Sequence, residues 1–68
     1  MITENNLRLD NRTIVVTGAS GHIGSSISSS LSMLGADLIL VDIDKEKLSK
    51  LSKSIKNQNP ANIKIIKA

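Results

Sequence analysis

From residue 14 the chain reads Ile14-Val15-Val16-Thr17-Gly18-Ala19-Ser20-Gly21-His22-Ile23-Gly24, an apolar run that breaks into glycines at every third position. A second apolar run, Leu38-Ile39-Leu40-Val41, follows and closes on Asp42. No other feature constrains the fold as tightly. A continuously apolar strand suits burial on both faces of a parallel sheet, and a glycine turn after it opens a helix. Glycines let backbone N–H groups approach a phosphate, and a helix N-terminus adds positive partial charge. With the second strand and its terminal carboxylate, the order predicts a site for an adenine dinucleotide. The glycine string alone would be weak evidence; the flanking strands, helix and acid are what make it specific.

Periodicity supplies the remaining elements. Arg12–Thr17 is predicted as the first strand. From there Ile23, Ile27, Leu31 and Leu34 form one stripe of a helix that Gly35 is placed to end. Asp37–Val41 is the second strand, bounded by Asp42. Asp44 is the expected N-cap of a second helix, whose stripe is Leu48, Leu51 and Ile55. Asn57-Gln58-Asn59-Pro60 breaks that helix, and 63–67 is the third strand. The fold class is α/β: the first β-α-β-α-β half of a doubly wound parallel sheet of the Rossmann type, incomplete.

Residues 1–11 read as a polar lead-in with Leu7 and Leu9 as points of attachment, and 12–68 as the N-terminal half of a dinucleotide-binding domain. Crossovers between parallel strands are right-handed, so two in the same direction put both helices on one face. The other face is left bare, and a bare apolar face does not persist in a soluble monomer. The expectation is therefore a truncated domain.

Composition narrows the function classes. There is no cysteine, so neither a disulfide framework nor a thiolate metal site is open to the chain, and no metal is expected. The start, Met1-Ile2-Thr3-Glu4-Asn5-Asn6, is polar and carries an acid, unlike a signal peptide. No apolar run approaches the roughly 20 residues that cross a bilayer, so no membrane partner and a cytoplasmic location are expected. The formal net charge is +3, and every lysine lies at or beyond position 45. Five fall in the second helix, opposite its apolar stripe. With no aromatic residue to stack on a base, they read as a solvated face and not as a nucleic-acid patch. The serines at 25, 26, 28, 29, 30 and 32 read as small polar side chains near the sheet, not as a phosphorylation cluster.

Within the motif, Gly18 is assigned the tight turn, Gly21 the close approach to phosphate, and Gly24 the packing of helix on sheet. The amides of His22 and Ile23, in the first helical turn, would face the pyrophosphate. Asp42 lies 24 residues after Gly18, near the separation expected of a ribose-binding carboxylate. It would accept hydrogen bonds from both ribose hydroxyls and repel a 2′-phosphate; the bland alternative is a strand-end turn residue. Asp44 adds a second acid, and no Arg or Lys occupies 18–44, so NAD is preferred over NADP. The His22 side chain has no carboxylate partner in view and reads as a loop residue, not an acid or base.

The stretch from Val16 to Gly24, followed by Leu34-Gly35-Ala36-Asp37-Leu38-Ile39-Leu40-Val41-Asp42, resembles the N-terminus of a short-chain dehydrogenase/reductase. The resemblance implies NAD(P)-dependent hydride transfer between an alcohol and a carbonyl, a small-molecule substrate and a homo-oligomer. It further implies that Ser20 lies near the adenosine ribose and Ile43 beside the adenine ring. The family's catalytic Tyr and Lys, with a Ser or Thr upstream, have no counterpart here, because the chain has no tyrosine. No residue is named catalytic, and these 68 residues alone are not expected to be active. The spacing T-G-x-x-G-x-x-G puts glycine at 21 and histidine at 22, where the oxidoreductase-type loop has glycine at 22. That spacing resembles sugar-nucleotide epimerases and dehydratases, whereas the direct passage from Asp42 to Leu48 into a helix resembles the oxidoreductase type. An epimerase or dehydratase, and a non-catalytic nucleotide-binding remnant, stay open as alternatives.

Overall fold

Alternating burial along the strands sets the architecture. The computed structural model describes residues 8–68, so Leu7 lies outside the described residues. Strand β1 is Thr13–Thr17, helix α1 His22–Met33, strand β2 Asp37–Asp42, helix α2 Lys45–Gln58 and strand β3 Ile63–Lys67. The strands form one sheet in the order β1-β2-β3, all parallel. This is the expected half of a doubly wound sheet, with β1 starting one residue late and β2 including Asp42. Ile14, Leu38 and Ile63 lie abreast, as do Val16, Leu40 and Ile65. These two rows meet Leu48 and Ile55 of α2 and Leu31 of α1 in one core.

The intervening row, Val15, Ile39 and Lys64, and the next, Thr17, Val41 and Ile66, face the other way. Val15 is 57% exposed and Ile66 40%. Both helices pack on β2 and touch each other, so they share one face and this apolar face is open.

Helix α1 departs from the expected orientation. The first half of its predicted stripe does not point inward, Ile23 being 77% exposed and Ile27 46%, whereas Leu31 of the same stripe packs against the core. The buried residues are Ser28 and Ser32, one and two turns beyond Gly24. Small side chains let the helix axis approach the strands more closely than a row of isoleucines would. The serines near the sheet therefore form the contact itself. The Ser28 hydroxyl donates to the Gly24 carbonyl at 2.7 Å, which satisfies it inside the core. The Ser32 hydroxyl is buried without a partner.

Gly35 ends α1 as the sequence suggests. Its φ of +98° is the left-handed conformation that glycine adopts without strain. Gly35 N–H donates to the Ser32 carbonyl at 3.0 Å and Ala36 N–H to Leu31 at 3.2 Å, the paired bonds of a Schellman ending. The segment before β1 seals the same end. Leu9 N–H donates to the Leu34 carbonyl at 2.8 Å, and the Arg8 guanidinium donates to the Met33 carbonyl at 3.3 Å. Asp44 caps α2, its carboxylate accepting from Lys47 N–H at 3.1 Å.

Candidate functional site at the carboxyl ends of the first two strands

The loop joining β1 to α1 is tied to the end of β2. Ala19 is fully buried, and its N–H donates to the Val41 carbonyl at 3.1 Å, continuing the β1–β2 ladder by one bond. The three glycines of the loop then differ in what demands them. Gly18 has φ +63°, while a Cβ there would meet nothing within 4 Å. Its glycine serves conformation and not space, as a tight turn at the strand end asks. At Gly24 a Cβ would run into the Gly18 carbonyl oxygen and come within 2.9 Å of Ala19 Cα. At this position the helix thus rests on the backbone of its own preceding loop, and not on the strands, where the sequence reading puts the Gly24 contact. Gly21 has φ −74°, and a Cβ would lie 3.5 Å from the Gly18 carbonyl, an ordinary contact. Nothing in the protein itself requires glycine at 21.

The N-terminus of α1 is left open. Gly21 stands at the N-cap with no side-chain cap, and the first turn carries no acid. The Ser25 N–H, donating to the Gly21 carbonyl at 2.8 Å, makes the first bond of the helical ladder. The amides of His22 and Ile23 precede it, so neither has an acceptor in the ladder. Both residues are exposed. Helix α2, by contrast, has Asp44 as its cap and Glu46 in its first turn.

Asp42 sits at the end of β2, directly beside this loop. Its Oδ2 accepts from the Ser20 amide at 3.0 Å and from the Ser20 hydroxyl at 2.7 Å. Its Oδ1 accepts from the Ile43 amide at 2.7 Å. The Ser20 hydroxyl, then the Ser20 amide, stabilise the charged form and hold the carboxyl below the usual carboxylate range, against a smaller opposing effect of burial. Oδ2 of Asp42 is thus doubly engaged within the chain, and the nearby acid Asp44 also serves as the N-cap of α2. The link from Ser20 to Asp42 was not foreseen, although both residues were placed near the ribose. Only the parallel register, which sets Thr17 beside Val41, brings them together. Ile43 is exposed at the rim.

Gly18, Ser20, Gly21, His22, Ile23, Gly24, Asp42 and Ile43 thus gather at the carboxyl ends of β1 and β2, where open α/β sheets bind ligands. Among the described residues, no group of three or more His, Asp or Glu could hold a metal ion. No described helix is long and apolar enough to cross a membrane.

Similar proteins identify the family. The family model described as short chain dehydrogenase matches residues 12–68. The D-arabinitol 2-dehydrogenase (ribulose-forming) of Scheffersomyces stipitis is 38% identical over 50 residues, which are 74% of this chain and 18% of that protein. A short chain dehydrogenase from Escherichia coli superposes with a TM-score of 0.90 at 27% identity, over 97% of this chain and 29% of that one. The L-sorbose reductase of Gluconobacter frateurii, solved with NADPH and L-sorbose, gives a TM-score of 0.88 at 22% identity, over 93% of this chain and 24% of that one. The chain therefore spans less than a third of the length of each of these relatives. By the family model and the fold together, this chain belongs to the short-chain dehydrogenase family.

Proposed function

We propose that the chain is the cofactor-binding part of an NAD(P)-dependent oxidoreductase that interconverts an alcohol and a carbonyl. The observation that carries this reading is Gly21. The protein's own packing tolerates a Cβ there, so no clash within the chain accounts for glycine at the open N-terminus of α1, where a phosphate would approach the backbone. A pyrophosphate fits that position. The His22 and Ile23 amides would donate to it, reinforced by the helix dipole. Asp42 would accept from the adenosine ribose, and Ile43 would flank the adenine.

When bound, the nicotinamide gives or takes the hydride. This chain's own residues bind and orient the cofactor. The proton-transferring groups belong to parts of the protein beyond these residues. A carboxylate held in its charged form at the ribose favours NAD, because it repels a 2′-phosphate. The NADPH in the sorbose reductase belongs to a relative whose likeness to this chain is one of fold. A small-molecule substrate, a homo-oligomer and a cytoplasmic setting complete the reading. The family model and the arabinitol dehydrogenase, matched at 38% identity, favour this over an epimerase or dehydratase.

Calorimetric titration of NAD and NADP into the full-length protein and its Asp42→Ala variant tests the reading. NAD should weaken by about 1–3 kcal/mol, as expected for losing an acceptor at a hydrogen-bonded hydroxyl, and NADP by much less. Equal losses would make Asp42 a turn residue only.

A further inference from the structure

We propose that Ser20 is a positioning residue for cofactor discrimination: it latches Asp42 by Oδ2, so that Oδ1 alone keeps an acceptor site for the ribose. The inference rests on the cofactor reading above and adds a role to a residue that the reading places only nearby. Each carboxylate oxygen accepts about two hydrogen bonds. At Oδ2 both places are filled by one residue, through its amide at 3.0 Å and its hydroxyl at 2.7 Å. At Oδ1 the Ile43 amide makes a hydrogen bond at 2.7 Å, and the Asp44 amide adds only a weaker pull on the charged carboxyl, so a place remains for a ligand hydroxyl. A half-buried carboxylate gripped by two donors of one residue cannot turn about its terminal torsion without breaking both bonds. It is therefore set before a ligand arrives, and the ordering cost of binding falls.

The latch has a second consequence. Ser20 belongs to the glycine loop and Asp42 to β2, so the two bonds fix the phosphate-binding loop relative to the ribose-binding strand. A carboxylate fixed in place also cannot swing away from a 2′-phosphate. Removing the hydroxyl should weaken NAD and relax the exclusion of NADP together, which loss of loop structure would not do. The lowered protonation of Asp42 agrees, since the Ser20 hydroxyl is its main cause.

The test compares wild type, Ser20→Ala, Ser20→Thr and Asp42→Ala in the full-length protein. NAD and NADP are titrated into each, and the titration of the Asp42 carboxyl is followed by NMR. Ser20→Ala should bind NAD roughly five- to tenfold more weakly, the size of effect expected when a preset acceptor is freed, and NADP no more weakly than wild type. Its Asp42 carboxyl should titrate at higher pH. Ser20→Thr, which keeps the hydroxyl, should stay within about twofold of wild type for both cofactors. If Asp42→Ala loses NAD affinity while Ser20→Ala does not, the latch is overturned and the cofactor reading stands. Equal losses of NAD and NADP in Ser20→Ala also overturn the latch, as they indicate a general loop defect. If both variants bind NAD as wild type does, the cofactor reading and the latch fail together.

Discussion

Adding a single methyl group at Gly24 should cost far more stability than adding one at Gly21, although both glycines belong to one motif. At Gly24 the new Cβ would strike the Gly18 carbonyl oxygen and lie 2.9 Å from both Ala19 Cα and Gly18 C. These are backbone atoms, and the loop that carries them cannot swing aside freely. It is held by Ala19 N–H on Val41 and by the Ser20 bonds to Asp42. Overpacking of this kind costs about 1–3 kcal/mol, and rigid neighbours argue for the upper end. Alanine recovers about 1 kcal/mol through its helix propensity. The net loss for Gly24→Ala is therefore about 2 kcal/mol.

At Gly21 the Cβ meets only the Gly18 carbonyl at 3.5 Å, with an ordinary φ of −74°. Restricting the unfolded chain stabilises by about 0.4–1 kcal/mol, and the poorer N-cap offsets a similar amount. Gly21→Ala should thus be near neutral. Equilibrium urea unfolding of the full-length protein reads the difference. At a slope of about 1–3 kcal/mol per molar urea, a loss of 2 kcal/mol lowers the midpoint by roughly 1 M. A Gly24→Ala variant as stable as wild type, or a Gly21→Ala variant equally destabilised, would refute the assignment of packing to one glycine and ligand approach to the other.

Three further outcomes are expected. Ser32→Ala removes a buried hydroxyl that has no partner and improves helix propensity, so it should raise stability by about 1 kcal/mol in thermal unfolding. Asp44→Ala deletes the acceptor for Lys47 N–H and should cost about 1 kcal/mol; a neutral result would mean the cap contributes nothing. The 68-residue chain on its own should melt without a sharp transition by circular dichroism, because Val15 and Ile66 leave an apolar sheet face uncovered.

The strands were legible because residues 14–16, 38–41 and 63–66 are apolar without interruption or nearly so, which few structures except a buried parallel sheet accommodate. The end of α1 was legible for a local reason as well: Gly35 is the residue that a left-handed ending needs. The facing of α1 was not. A rule that turns the most apolar stripe inward chose Ile23 and Ile27, whereas close approach selected Gly24, Ser28 and Ser32. Those three small residues recur every four positions, and that spacing was the available signal. At the site, residue types were readable but their engagement was not. Asp42 and Ser20 are 22 positions apart, and their hydrogen bonds exist only once β1 and β2 are in register. Likewise, the sequence shows three glycines but not that one serves its φ, one serves packing and one is free of both.

Dinucleotide binding by the glycine loop is most directly tested at that free position. Gly21→Val in the full-length protein puts a branched side chain where the pyrophosphate is proposed to lie, at the uncapped N-terminus of α1. NAD titration by calorimetry, with circular dichroism to verify folding, reads the outcome. The expected result is a folded protein with no measurable NAD binding. A folded Gly21→Val variant that binds NAD with wild-type affinity would contradict the assignment of this loop to a cofactor.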